Sequence, residues 1–353
     1  MHVKLFIPGP TEVREDVLKE MSRPIIGHRT KEMSDLYERI HDNLQKFFNT
    51  KNEVMVFTAS GTGMMEGSIR NVIQNDVLHC TNGSFSERWF EISKANGKIA
   101  DAIKYEWGKA AKTKDVEEKF KGKHYEGIAL TQNETSTGVR TPIDDFFKLS
   151  REHDSLLLVD AVSSLAGDMI DVNKSDILFA PTQKSFGLPP GLVTVFISPE
   201  AMEKAKKVTS RGYYFDFISM KNYYDEKKQI PATPAVSLFY ALDYQLEKML
   251  KEGMEERYNR HKKMASMVQK WAKDNFALFA EPGYESVTVT TVTNTKNISV
   301  DALNKALKAK WMSISNGYGK LKEKTFRIAH MGDLTPSEIQ ELLDTIDEIL
   351  GVK

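Results

Sequence analysis

Short runs of apolar and β-branched residues recur along the first two-thirds of the chain, at 54–57, 77–81, 128–131, 156–160, 177–180 and 192–196. They are nearly uniformly apolar rather than alternating, the pattern of strands covered on both faces. Helical spacing over 63–73 follows the first run, and a helix over about 87–94 follows the second. Strand–helix alternation of this kind predicts an α/β layer architecture on a mainly parallel sheet. After Pro234 the texture changes. Leu238, Leu242, Leu246 and Leu250 recur every fourth residue, predicting a long helix that carries the chain out of the sheet domain. Beyond it, β-rich 286–292, a helix over 300–308, a strand at 325–329 and a final helix over 336–350 predict a smaller α+β domain.

Composition narrows the function classes. A chain of 353 residues can bury a sizeable core and divide into two domains. Its 49 basic and 49 acidic side chains cancel, so no overall field draws in nucleic acid or an anionic membrane. A single cysteine, Cys80, excludes an intramolecular disulfide and a thiolate zinc cluster, and no metal site is expected. No apolar run approaches the roughly 20 residues that span a bilayer. The segment 1–8 lacks the organisation of a secretory signal. A cytoplasmic protein is expected.

In open α/β sheets ligands bind beyond the carboxyl ends of the strands, and each predicted strand end here carries usable chemistry. After 54–57 comes Ser60-Gly61-Thr62-Gly63-Met64, a small-residue turn entering a helix. Its amides and hydroxyls suit phosphate, or simply cap the helix. Phe85 follows the second run and suits stacking on a flat ring or packing. The polar stretch 131–139 contains Thr135 and reads alone as a capped loop. Asp160 ends a buried-strand pattern, where a carboxylate needs a cationic partner unless it caps a helix. Lys184 lies between two apolar runs rather than on a solvated helix face, which makes its amine a candidate for covalent chemistry. Together these groups match what pyridoxal phosphate requires: a helix start for the phosphate, a stacking ring, a carboxylate for the ring nitrogen and an amine for the aldehyde.

The blocks Ser60-Gly61-Thr62-Gly63, 134–139, 158–164 and Gln183-Lys184 with Pro189-Pro190-Gly191 resemble the class V aminotransferases of the alanine–glyoxylate or serine–pyruvate group. The resemblance runs from Pro8-Gly9-Pro10-Thr11 to 326–329. It implies a fold type I pyridoxal phosphate transferase with a mainly parallel seven-stranded sheet, an arm at 1–15, a large domain at 16–245 and a small domain at 246–353. It further implies a homodimer with the active sites at the interface. By the same resemblance Lys184 forms the Schiff base and Asp160 pairs with the ring nitrogen. Ser60, Thr62, Gly63 and Met64 hold the phosphate with Gln183, and Phe85 stacks on the ring. Thr135 contacts the ring hydroxyl, Val162 packs on the opposite face and Arg327 grips the substrate α-carboxylate.

The sequence departs from the pattern in places. Over 229–234 the family often supplies a tyrosine and a threonine to the neighbouring subunit's phosphate; here Thr233 is the nearest candidate. Met64 stands where some relatives have histidine, and Tyr213, Tyr214, Tyr223 and Tyr224 are further candidates for lining the site. The expected reaction moves an amino group from alanine or serine to glyoxylate or pyruvate in two half-reactions. Gly27-His28-Arg29-Thr30 resembles the His-Arg pair with which phosphoserine aminotransferases grip a phosphate or distal carboxylate, so phosphoserine with 2-oxoglutarate is the alternative; loop packing at a subunit boundary is the competing role for His28 and Arg29. A cysteine desulfurase would need a mobile nucleophile, and Cys80 lies within a strand pattern. A non-catalytic protein on the same scaffold is the remaining reading.

Overall fold

The computed structural model describes residues 2–352. Seven strands form the central sheet, in the order Glu53–Phe57, Val193–Ile197, Ile177–Pro181, Leu156–Asp160, Gly127–Thr131, Asp76–Thr81, Ile99–Lys104. Neighbours are parallel except where Val193–Ile197 meets its two partners. Register aligns Asp160 with Thr131 on one side and Phe179 on the other, so Gly127–Thr131 and Leu156–Asp160 end level at the carboxyl edge while Ile177–Pro181 runs on past them. Ile99–Lys104 escapes the sequence pattern because it is an edge strand whose residues are half-buried or exposed, with Asp101 interrupting the apolar positions.

Two helix assignments differ from expectation for physical reasons. The helix after Asp76–Thr81 runs Ser84–Ala95, starting three residues earlier than the local pattern suggests. The amides of Phe85 and Ser86 donate to the Glu134 carboxylate, which comes from a loop far along the chain. Phe85 therefore sits in the first helical turn. The helix Val236–Glu252 does not lead out of the sheet domain. Phe239, Leu242, Leu246 and Met249 pack into the first core, against the helix Lys31–Phe47. A true period of 3.6 residues leaves Leu238 and Leu250 only half-buried. The chain leaves at Gly253, where φ is 85°, to begin Met254–Asn275.

The second core gathers Phe6, Met264, Val268, Phe326, Ile328, Leu342 and Ile346. Its antiparallel sheet runs Ala277–Leu278, Val289–Thr293, Thr325–Ala329, Ser315–Asn316. The N-terminal segment belongs to this layer: Lys4–Leu5 pairs with Met312–Ser313, and the Phe6 carbonyl accepts from the Ala329 amide at 2.9 Å. That anchorage carries Pro8 and Gly9 onto the carboxyl edge of the large sheet. Among the described residues, no helix is long and apolar enough to cross a membrane, and no cluster of metal-ligating side chains occurs.

Candidate active site

At the level strand ends, the Asp160 side chain is 2% exposed. One oxygen accepts from the Val162 amide at 2.8 Å and the other from the Thr131 hydroxyl at 3.5 Å. Burial pushes this carboxyl up to about 7, with Glu134 adding to the rise and Lys184 opposing it. Lys184 begins a turn just past the strand Ile177–Pro181, and its amine donates to the Pro8 carbonyl. Burial lowers this amine to about 8, helped by the positive charges of Arg327 and Arg88 and opposed by Asp160. A buried amine and a buried carboxyl, both moved toward neutrality at one sheet edge, mark a candidate site for imine chemistry.

Arg327 occupies the middle of Thr325–Ala329 and is brought over the large-domain edge by the small sheet. Its guanidinium donates to the carbonyls of Asn316 and Thr135. Burial lowers it to about 10, with Tyr318 and Glu134 opposing the shift. Its fork faces no carboxylate among the ion pairs of the described residues, the condition expected of a site for an anionic substrate group.

The helix Gly61–Val72 opens at the same edge. Ser60 caps it, its hydroxyl accepting from the Gly63 amide at 3.2 Å, while the Met64 amide donates to the Ser60 carbonyl at 3.1 Å. Ser60 thus serves the cap, and Met64 turns its buried side chain into the core. The amides of Gly61 and Thr62 belong to the helix start that lacks intrahelical partners, beside the exposed Thr62 hydroxyl. Val162 packs on Gly61, where an added Cβ would meet its methyl at 2.6 Å. The Gln183 carboxamide oxygen is buried without a hydrogen-bond partner. Thr135 turns its hydroxyl to Ser163 at 2.8 Å.

Arg88 and Tyr318 were missed from sequence. Arg88 lies one turn after Phe85 on the same helix, donating to the Thr62 hydroxyl at 3.2 Å and the Tyr318 hydroxyl at 3.1 Å. Its guanidinium sits 4.8 Å from the centre of the Phe85 ring, and the Phe85 and Tyr318 rings are 5.3 Å apart. The i, i+3 spacing from Phe85 was a usable signal only once the helix was known to begin at Ser84. Nothing local marks Tyr318.

Other candidates lie elsewhere in the chain. Arg29 braces the loop over 229–231, donating to the carbonyls of Ile230 at 2.7 Å and Pro231 at 2.6 Å; His28 precedes it, half-buried. Thr233 is exposed and lines a cleft with Thr58, Tyr213, Tyr214 and Pro231. Tyr213 is 90% exposed and Tyr214 donates to the Thr58 carbonyl, whereas Tyr224 is buried against His41. Cys80 is 2% exposed and burial pushes its thiol up to about 12, which deprives a desulfurase of its thiolate.

The family description "Aminotransferase class-V" matches residues 6–320. The chain is 38% identical to an uncharacterized aminotransferase of Methanocaldococcus jannaschii, over 97% of this chain and 91% of that one. It is 32% identical to an L-aspartate–glyoxylate aminotransferase of Paracoccus denitrificans, over 98% and 91%. The crystal structure of an alanine–glyoxylate aminotransferase from Nostoc matches with a TM-score of 0.94 at 26% identity, over 99% of this chain and 96% of that one. The chain therefore belongs to the class V aminotransferases, pyridoxal phosphate enzymes that transfer an amino group between an amino acid and a 2-oxo acid.

Proposed function

We propose that this enzyme moves the amino group of a small amino acid, alanine or serine, to glyoxylate or pyruvate in two half-reactions. The observation that carries the site assignment is the placement of Lys184 and the buried Asp160 carboxylate at one sheet edge, near enough for each to act on the other's charge. The residues fit the cofactor. Asp160 is a buried carboxylate in want of a cationic N–H, and the Gln183 oxygen in want of a donor. The start of Gly61–Val72 with the Thr62 hydroxyl suits a phosphate, with Ser60 shaping the turn and Gly63 and Met64 supplying its backbone. Phe85 and Val162 offer apolar surfaces for the two ring faces, and the Thr135 hydroxyl is bonded to Ser163 in the turn after Asp160.

When bound, the cofactor supplies an aldehyde that takes up the amino group reversibly and a ring that accepts electron density from the α-carbon. Lys184 would hold the aldehyde, and its neutral amine would serve as the base for the proton on the substrate α-carbon. Asp160 would keep the ring nitrogen protonated. Arg327 would bind the α-carboxylate through its paired donors and so orient the α-carbon.

Glyoxylate as acceptor is supported by its presence in the names of both the Paracoccus and the Nostoc relatives. The phosphoserine alternative loses support within one subunit, because Arg29 is bound to the 229–231 loop and not to the groups around Lys184 and Asp160. We also place the enzyme in the cytoplasm as a homodimer, with Thr233, His28 and the exposed Ile25, Tyr213 and Tyr214 facing the second copy; Arg29 braces the loop on that surface. The domain boundary is proposed at Gly253, past the expected 245, because the first core extends through Met249. Borohydride reduction and peptide mapping test the cofactor assignment, which requires the label on Lys184. Steady-state rates for alanine with glyoxylate, against phosphoserine with 2-oxoglutarate, test the substrate.

A further inference from the structure

Among the described residues, every arginine other than Arg29, Arg88 and Arg327 has a carboxylate oxygen at ion-pairing distance. Arg29 is taken up by the carbonyls of its loop. The other two unpaired guanidiniums lie at the active site, and both act on the Lys184 amine. Arg327 answers to the α-carboxylate. Arg88 has no such assignment. Its partners are two neutral hydroxyls, Thr62 and Tyr318, and the face of Phe85.

Before any ligand binds, cations outnumber the carboxylates that act on them: Asp160 acts on Lys184 and Glu134 on Arg327, and the Glu134 oxygens are committed to the amides of Phe85, Ser86 and Ser136. The proposed cofactor engages Lys184, Asp160 and the helix start, and an α-carboxylate satisfies Arg327. Arg88, half-buried beside the Thr62 hydroxyl at the proposed phosphate site, then remains the one guanidinium there without a carboxylate. Tyr318 touches both arginines: its hydroxyl accepts from Arg88, and its ring centre lies 5.4 Å from the Arg327 guanidinium carbon. A substrate with two carboxylates can engage both cations, whereas one with a single carboxylate engages one.

We propose that Arg88, with the Tyr318 hydroxyl, receives the distal carboxylate of a four- or five-carbon dicarboxylic amino acid or 2-oxo acid. The donor range of the enzyme then extends beyond alanine and serine. This rests on the assignment of the site to transamination. Arg88 is a specificity residue here, and the hydroxyl of Thr62 holds its guanidinium in place.

The test is calorimetric binding of succinate and of propionate to the holoenzyme, for the wild type, Arg88→Gln, Arg88→Lys and Tyr318→Phe. The wild type is expected to bind succinate at least roughly tenfold more tightly than propionate. Arg88→Gln removes that preference while leaving propionate binding within about twofold; Arg88→Lys, keeping the charge without the fork, retains part of it. Tyr318→Phe reduces the preference through loss of one hydroxyl and stands in should the Arg88 variants fail to fold. Equal wild-type affinities for the two acids overturn the proposal. So does an Arg88→Gln protein that weakens both acids alike and loses its cofactor on dialysis, since Arg88 would then serve the cofactor phosphate. Borohydride labelling of Lys184 is read separately: a labelled lysine with no succinate preference removes this inference and leaves the transaminase site standing.

Discussion

The Lys184 amine donates to the carbonyl oxygen of Pro8, so the segment that follows the pairing of Lys4–Leu5 with Met312–Ser313 touches the nitrogen proposed to form the Schiff base. Gly9 makes the approach possible. Its φ is 129°, and a Cβ there would fall 2.7 Å from both Cδ and Cε of Lys184. Gly9→Ala is expected to displace the lysine and lower kcat/KM on the order of 100-fold, the usual penalty for misplacing a reacting group by about 1 Å. Steady-state kinetics with borohydride labelling checks this. Unchanged kinetics would show that the arm stands clear of the lysine.

The lowered acidity range of Lys184 has two pH consequences. Only its neutral amine attacks an aldehyde, so cofactor uptake by the apo-protein should rise about tenfold per pH unit and level off above about 8. Stopped-flow absorbance reads this directly. For stability, the unfolded chain keeps this proton up to about 10.4 and the folded chain only to about 8. Between these values the unfolded state binds more protons, so apo-protein stability rises with pH there, and the penalty is complete below 8. Lys184→Met should therefore stabilise the apo-protein at pH 7 by about 1–2 kcal/mol, solvent screening limiting the gain, and by less above pH 10. Thermal midpoints of both proteins at the two pH values test the sign.

Arg327 spends its fork on two backbone carbonyls. Its replacement by glutamine removes the charge that a substrate carboxylate needs, and should lower kcat/KM by about 100- to 1000-fold, mostly through KM. Arg327→Lys should fall between the two because the charge survives without the planar pair of donors. An unchanged KM for alanine would mean that the carboxylate binds elsewhere.

The placement of Asp160 and Lys184 at one sheet edge was legible because each borders an apolar run, and a charged group at a covered strand end has few structural uses. Thr325–Ala329 and Pro336–Leu350 were legible from local periodicity alone. What stayed hidden depends on contacts across the chain. Ser84 opens a helix because of a glutamate 48 residues beyond Ser86, and that start decides that Arg88 shares a face with Phe85. Tyr318 reaches the site only because the small sheet places its loop there. Ser60 and Met64 show the opposite limit: the motif was visible, yet a hydroxyl cap and a phosphate cradle use the same residues, and only geometry shows which amide each group occupies.

Glu134 tests that dependence. Fully buried, its carboxylate accepts from the amides of Phe85, Ser86 and Ser136 and from the hydroxyls of both serines. A negative charge at the N-terminus of Ser84–Ala95 opposes the positive end of the helix, and Gly83 admits it, since a Cβ there would lie 2.5 Å from its carboxyl carbon. Glu134→Ala strands several buried donors at once and should cost about 3 kcal/mol or more of folding stability. Glu134→Gln keeps the shape, turns one acceptor into a donor facing donors, and should cost about 1–3 kcal/mol. Because this helix carries Phe85 and Arg88, the glutamine variant should also hold the cofactor more weakly in proportion to its loss of stability. Urea unfolding and equilibrium cofactor titration on the same preparations check both effects. A variant that unfolds earlier yet binds the cofactor with full affinity would show that the helix start does not position the Phe85 ring.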